Sequence, residues 1–165
     1  MEPETSSSRI DAAQPRSLSE LLECPPAVGA VLNSAAKCLS YDSGDVVFLQ
    51  SGNCEGLYVV ISGQFLRRTE RLQTRLALAP ARPGDLVELA AALGDGRHTY
   101  TMTAQIPGSA LLLPIDALSV AFQNHPPLRM QLLEELAREV SRAYDACCIS
   151  RSVKSRRRGA EGTAA

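Results

Sequence analysis

The chain is 165 residues long, 45% hydrophobic and only 4% aromatic, with no tryptophan. That suffices for one domain with a mostly aliphatic core and no need of staples. No apolar run approaches the length of a membrane span, and no basic-then-apolar leader opens the chain, so a cytoplasmic protein without membrane partners is expected.

The formal net charge of −1 conceals an asymmetry. Five bases (Arg151, Lys154, Arg156, Arg157, Arg158) crowd the C-terminal stretch, and residues 1–150 carry 12 basic against 17 acidic residues, a net −5. An acidic body is not itself a nucleic-acid surface. The five cysteines (Cys24, Cys38, Cys54, Cys147, Cys148) are odd in number and scattered, which argues for reduced thiols rather than a disulfide framework.

Residues 1–16 are polar and aperiodic and read as a disordered arm. Ser17, with Glu20 three residues on, forms a capping box for a short helix that Pro25-Pro26 ends. A second helix is expected over about Ala27–Ala36. From Tyr41 to Ala104 short β-rich runs (Val46–Leu49, Leu57–Ile61, Thr99–Ala104) alternate with glycine-marked turns, the pattern of a closed antiparallel roll. Gln64–Ala79 reads as two arginine-bearing strands about a turn near Glu70–Leu72. Gln105–Pro114 reads as a further strand pair, broken at Pro107-Gly108.

Ile115–Asn124 is expected to be a helix, and Pro126-Pro127 opens the longest periodic segment, since proline suits a helix's first turn. Within it Leu133, Leu136, Val140, Ala143 and Cys147 recur at spacings of 3 and 4, a heptad seam suited to a second helix. Leu132, Ala137 and Tyr144 widen the stripe, so one side can lie on the roll. The expected organisation is therefore an arm (1–16), a β-roll with short N-terminal helices (17–125), a long dimerisation helix (126–149) and a basic disordered tail (150–165).

The motifs G-D-V-V-F-L-Q-S-G, then G-L-Y-V-V-I-S-G, then P-G-D-L-V-E-L, in that order, resemble the double-stranded β-helix of cyclic-nucleotide-binding domains. Within that superfamily the chain is most similar to the sensory part of CRP/FNR-type regulators, from about Leu18 to Ser150. The resemblance implies a jelly-roll-like fold, a homodimer built on the long helix, and an effector cassette with cyclic AMP or cyclic GMP as its ligand.

In such a cassette a glycine turn presents N–H groups, a glutamate holds the ribose, and an arginine pairs with the phosphate. Here the corresponding residues are Gly84, Val87, Glu88 and Leu89, then Arg97, His98 and Thr99. Glu88 and Thr99 match the pattern. Val87 replaces the glycine, His98 stands at the arginine position with Arg97 one place early, and Tyr100 replaces an alanine. The effector is thus left open: a cyclic nucleotide, another small molecule or partner, or none.

Regulators of this kind continue into a winged helix-turn-helix, for which the residues after Cys148 are too few, so no sequence-specific DNA binding is expected of these 165 residues. The resulting expectation is a regulatory sensor module, with a truncated CRP/FNR-type transcription regulator as the alternative. A cupin-like enzyme on the same roll would need an H-x-H pair and a further histidine. Two histidines, His98 and His125, do not supply them, and no catalytic or metal site is assigned.

Overall fold

The computed structural model describes the backbone of residues 16–71 and 74–160, and the side chains of residues 16–70 and 78–145. Residues 1–15 of the expected arm and residues 161–165 lie outside it, as do Leu72 in the expected hairpin turn and the side chain of Cys147.

In chain order the elements are α1 (Leu18–Leu21), α2 (Pro26–Ala35), β1 (Lys37–Tyr41), β2 (Val46–Phe48), β3 (Gly56–Arg71), β4 (Thr74–Ala77), β5 (Leu86–Val87), α3 (Leu89–Leu93), β6 (Thr101–Pro114), α4 (Ile115–Asn124) and α5 (Pro126–Ala160). The capping box at Ser17 forms in full: the Glu20 N–H donates to the Ser17 hydroxyl, and the Ser17 N–H donates to the Glu20 carboxylate. The start of that short helix is thereby fixed by four residues of sequence.

All the strand pairs are antiparallel. β6 is the hub: it takes β1 along its C-terminal half, β2 at its start, and β3 along nearly its whole length, from Gly56 opposite Pro114 to Arg68 opposite Thr101. β4 returns on the end of β3, and β5 pairs with Tyr58 and Val59. This is the expected roll, an antiparallel sheet with flanking helices and a long C-terminal helix.

Two expected chain breaks are not there. β3 runs on through Ser62-Gly63, and β6 runs on through Pro107-Gly108 where a strand pair was expected. The two sites face one another, and the register shifts three times between Val60 and Phe65. Opposed bulges bend both strands together instead of ending either. The crossing is so close that a Cβ on Gly63, whose φ is +85°, would sit 2.7 Å from the Gly108 Cα. Glycine at both places is what lets the sheet curl there.

The third difference is the length of α5. It continues to Ala160, past the expected end at Ile149 and through most of the basic stretch assigned to a disordered tail.

Two buried clusters share the strands. Leu57, Val59 and Leu113 join α1, α2, α4, α5 and Leu89 in an aliphatic cluster. Tyr58, Val60, Ala110 and Leu112 face the other way, into the roll, with Phe48, Phe65, Val87, Tyr100 and Met102. The period-2 alternation of β3 thus assigns successive residues to different cores. Each fully buried aliphatic side chain contributes about 1.5–3 kcal/mol of transfer free energy, so the first cluster alone fastens the helices to the roll.

Candidate effector site

Val87, Glu88 and Leu89 part company at the end of β5. Val87 enters the aromatic cluster, wholly buried, and Leu89 enters the aliphatic one. Glu88 between them adopts a left-handed backbone, φ 72° and ψ 32°, as the N-cap residue of α3. A non-glycine residue there costs on the order of 1–2 kcal/mol, and the surroundings hold it in place. The Glu88 N–H donates to the Tyr100 hydroxyl at 3.2 Å, and the Thr99 hydroxyl and N–H donate to the Glu88 carboxylate at 3.1 and 3.3 Å.

Glu88 is only 2% exposed, and burial pushes its carboxyl up to about 7 against the lowering effect of the Thr99 hydrogen bonds. His98, 5% exposed, places Nδ1 at 3.2 Å from Glu88 Oε2. Burial lowers the pKa of that imidazole, favouring its neutral form. The contact is close but not aligned as a hydrogen bond, and Nδ1 has no hydrogen-bond partner. The ring is nonetheless fixed: it stacks on Phe48 with centroids 3.9 Å apart and planes within 2°.

A second loop completes the corner. Ser51 N–H donates to the His98 carbonyl, His98 N–H to the Gly52 carbonyl, and Cys54 N–H to the Gly96 carbonyl, at 2.7 to 2.9 Å. These clips carry Cys54, 44 residues earlier in sequence, to the Glu88–His98 pair. One ligand-type atom from each of the three buried side chains lies within 4.8 Å of the others. The Cys54 thiol donates to the Gly56 carbonyl at 3.1 Å, and burial raises its pKa.

The other cassette residues take different places. Gly84 lies in an exposed turn, with its N–H on the Val60 carbonyl. Arg97 is exposed and donates to the Ser51 carbonyl at 3.1 Å, away from Glu88. Tyr100 is buried in the roll, and the Arg67 guanidinium lies 5.5 Å from its ring centroid. From there Arg67 reaches α5, pairing with Glu139 at 2.8 Å, and its Nε donates to the Ala79 carbonyl. Sequence reasoning placed Arg67 on a solvated strand pair rather than against α5, and it gave no role to Cys54 or Glu139. Only the cross-loop pairing reveals Cys54.

The family model described as Cyclic nucleotide-binding domain matches residues 38–125, more than half of the chain. The chain belongs to this family. Among solved structures this cyclic-nucleotide-binding domain is similar to the sensor domain of the transcriptional regulator DNR from Pseudomonas aeruginosa, with TM-score 0.64 and 21% identity over 79% of this chain and 87% of that one. It is likewise similar to the catabolite activator protein of Thermus thermophilus (0.66, 22%, over 76% of this chain and 59% of that one). The N-terminal domain of a transcriptional regulator from Streptomyces coelicolor A3(2) is a third such structure (0.58, 26%, over 79% and 90%). No curated protein sequence matches the chain. Among the described residues, no helix of this domain is long and apolar enough to cross a membrane.

Proposed function

We propose that the chain is a regulatory sensor module of the CRP/FNR type, in which an effector acting at the Glu88–Thr99 corner is transmitted to α5. The observation that carries this reading is a continuous run of polar contacts: Thr99 to Glu88, Glu88 N–H to Tyr100, Tyr100 against Arg67, and Arg67 to Glu139 on the long helix. Control of transcription is the process we assign to it, because the solved structures sharing its fold include the sensor domain of one transcriptional regulator and the N-terminal domain of another.

The effector is not an ordinary cyclic nucleotide bound in the ordinary way. Val87 is packed in the core and cannot give an anion close backbone approach, Glu88 is engaged by Thr99, and Tyr100 occupies the roll beside it. Calorimetric titration with cyclic AMP and cyclic GMP should show weak binding or none, and tight binding at one per chain would overturn this assignment. The double change Val87→Gly with His98→Arg should improve affinity, since a charge-assisted pair to phosphate contributes about 1.5–3 kcal/mol.

Transmission has its own test. Tyr100→Phe cuts the run at its centre, so amide exchange in α5 near Glu139 should quicken. Unchanged exchange there refutes the path.

The same helix supports a homodimer. Leu128 and Leu132 are buried on the roll and Leu136 packs partly against it, so Leu136 of the expected seam is shared with the chain's own core. Beyond it Val140 is 59% and Tyr144 69% exposed, and Ala143 is exposed beside them. With Leu133 they form the face we assign to a second copy. Val140→Glu puts an unpaired carboxylate in that face, and light scattering should then report a monomer with the roll still folded. A native protein already monomeric at micromolar concentration would rule the dimer out.

A further inference from the structure

We propose that Cys54, Glu88 and His98 form a binding site for a zinc-like divalent cation, held by the Cys54 thiolate, the Glu88 carboxylate and His98 Nδ1. The inference stands on the geometry of the corner and does not require the regulatory reading.

The first argument is the unpartnered nitrogen. His98 Nδ1 is buried, lacks a hydrogen-bond partner, and faces a carboxylate oxygen at 3.2 Å without pointing at it. Two ligands of one ion behave in this way, because their lone pairs converge on a third point. With metal–nitrogen and metal–oxygen bonds of about 2.0–2.1 Å in a tetrahedral site, such atoms lie about 3.3 Å apart. The observed spacing needs no adjustment.

The second argument concerns orientation. A ligating imidazole is usually fixed by a hydrogen bond at its other nitrogen, and a ligating carboxylate by donors of its own. His98 is held by the Phe48 stack, while Glu88 has the Thr99 hydroxyl and N–H. Cys54 is the adaptable member. Its sulfur lies within 4.8 Å of the other two ligand atoms, and a thiolate on the same ion would come to about 3.6 Å from the nitrogen. A side-chain movement of about 1 Å supplies the difference.

The third argument is charge. A thiolate and a carboxylate together cancel a divalent cation, so the occupied site buries no net charge, and burying net charge is the costly alternative. Binding expels the thiol proton and any proton on Glu88 into solvent, and no oxidation or reduction is involved. Sulfur, imidazole and carboxylate donors favour zinc over magnesium or calcium. Three protein ligands leave a fourth position open to water or an exogenous donor.

The test uses the full chain, reduced and stripped with a chelator, carrying Cys38→Ser, Cys147→Ser and Cys148→Ser to remove competing thiols. Cobalt(II) should bind at one equivalent per chain, with tetrahedral d–d bands and a thiolate-to-cobalt charge-transfer band that zinc abolishes. Cys54→Ser should erase the charge-transfer band, and Glu88→Gln or His98→Gln should each weaken binding at least about ten-fold. If those variants misfold by circular dichroism, Thr99→Val keeps every ligand while removing a support, and should weaken binding about ten-fold or more. The proposal is overturned if Cys54→Ser leaves the cobalt spectrum unchanged. It is overturned equally if the folded protein binds no cobalt at micromolar metal.

Discussion

The two clusters divided by β3 and β6 are built from different materials. The aliphatic one holds mainly leucines, with valines, small residues, a buried cysteine and Phe122 at its edge, drawn from the helices and one face of the strands. The other collects Tyr41, Phe48, Tyr58, Phe65 and Tyr100, five of the chain's seven aromatic residues, around the roll interior. Glu88 and His98 are the buried polar side chains of the described residues, and His98 lies flat on one of those rings. A leucine core tolerates nothing polar, since each unpaired group costs free energy. Aromatic rings offer flat faces and hydroxyls, and so can house an acid and an imidazole. One cluster fastens the fold and the other holds the buried acid and imidazole.

That division can be broken most severely from the aliphatic side. Leu57→Ala leaves a cavity where strand and helices meet, and denaturant unfolding should show a loss of about 2–5 kcal/mol in one cooperative transition. A separate early melting of the helices would mean that this cluster does not fasten them. From the aromatic side, Phe48→Leu keeps an apolar filler of similar bulk and should cost only about 1–1.5 kcal/mol. The same change removes the stack under His98, so the imidazole's NMR signals should move far more than the stability does. If stability and signals change in proportion, the two clusters are not functionally distinct.

The smallest effect concerns the tie between roll and helix. A double-mutant cycle on Arg67→Ala and Glu139→Ala should return a coupling of about 0.2–1 kcal/mol, because Glu139 is a third exposed. A coupling indistinguishable from zero would leave the aliphatic cluster as the sole connection.

Much of the first cluster was legible in sequence and much of the second was not. The capping box and the α4 boundaries depend on neighbours within a few residues, and they appear where the residues predict them. Ser62-Gly63 and Pro107-Gly108 each look like chain breaks because their meaning lies in one another, across two long strands. Glu88, His98 and Thr99 were found through the family pattern. Cys54 was not, because its place beside them depends on loop pairing across 44 residues and no local spacing records it. Tyr100 stood out as a departure, but its hydroxyl as the acceptor for a left-handed Glu88 is visible only in three dimensions. The seam on α5 was legible as a stripe. Which part of it the roll covers was not.

The length of α5 has a mechanical consequence. Leu136 and Glu139 are the last of its described side chains seen to touch the roll, and from Val140 to Asp145 every one is exposed. The 22 residues from Glu139 to Ala160 make a rod about 32 Å long at 1.5 Å per residue. Pivoted at the Arg67 contact, that rod is a lever arm: a tilt of about 10° sweeps its far end through about 5 Å. Under the transmission proposed above, a small rotation at the roll would become a displacement as large as one helical turn at the far end of the helix.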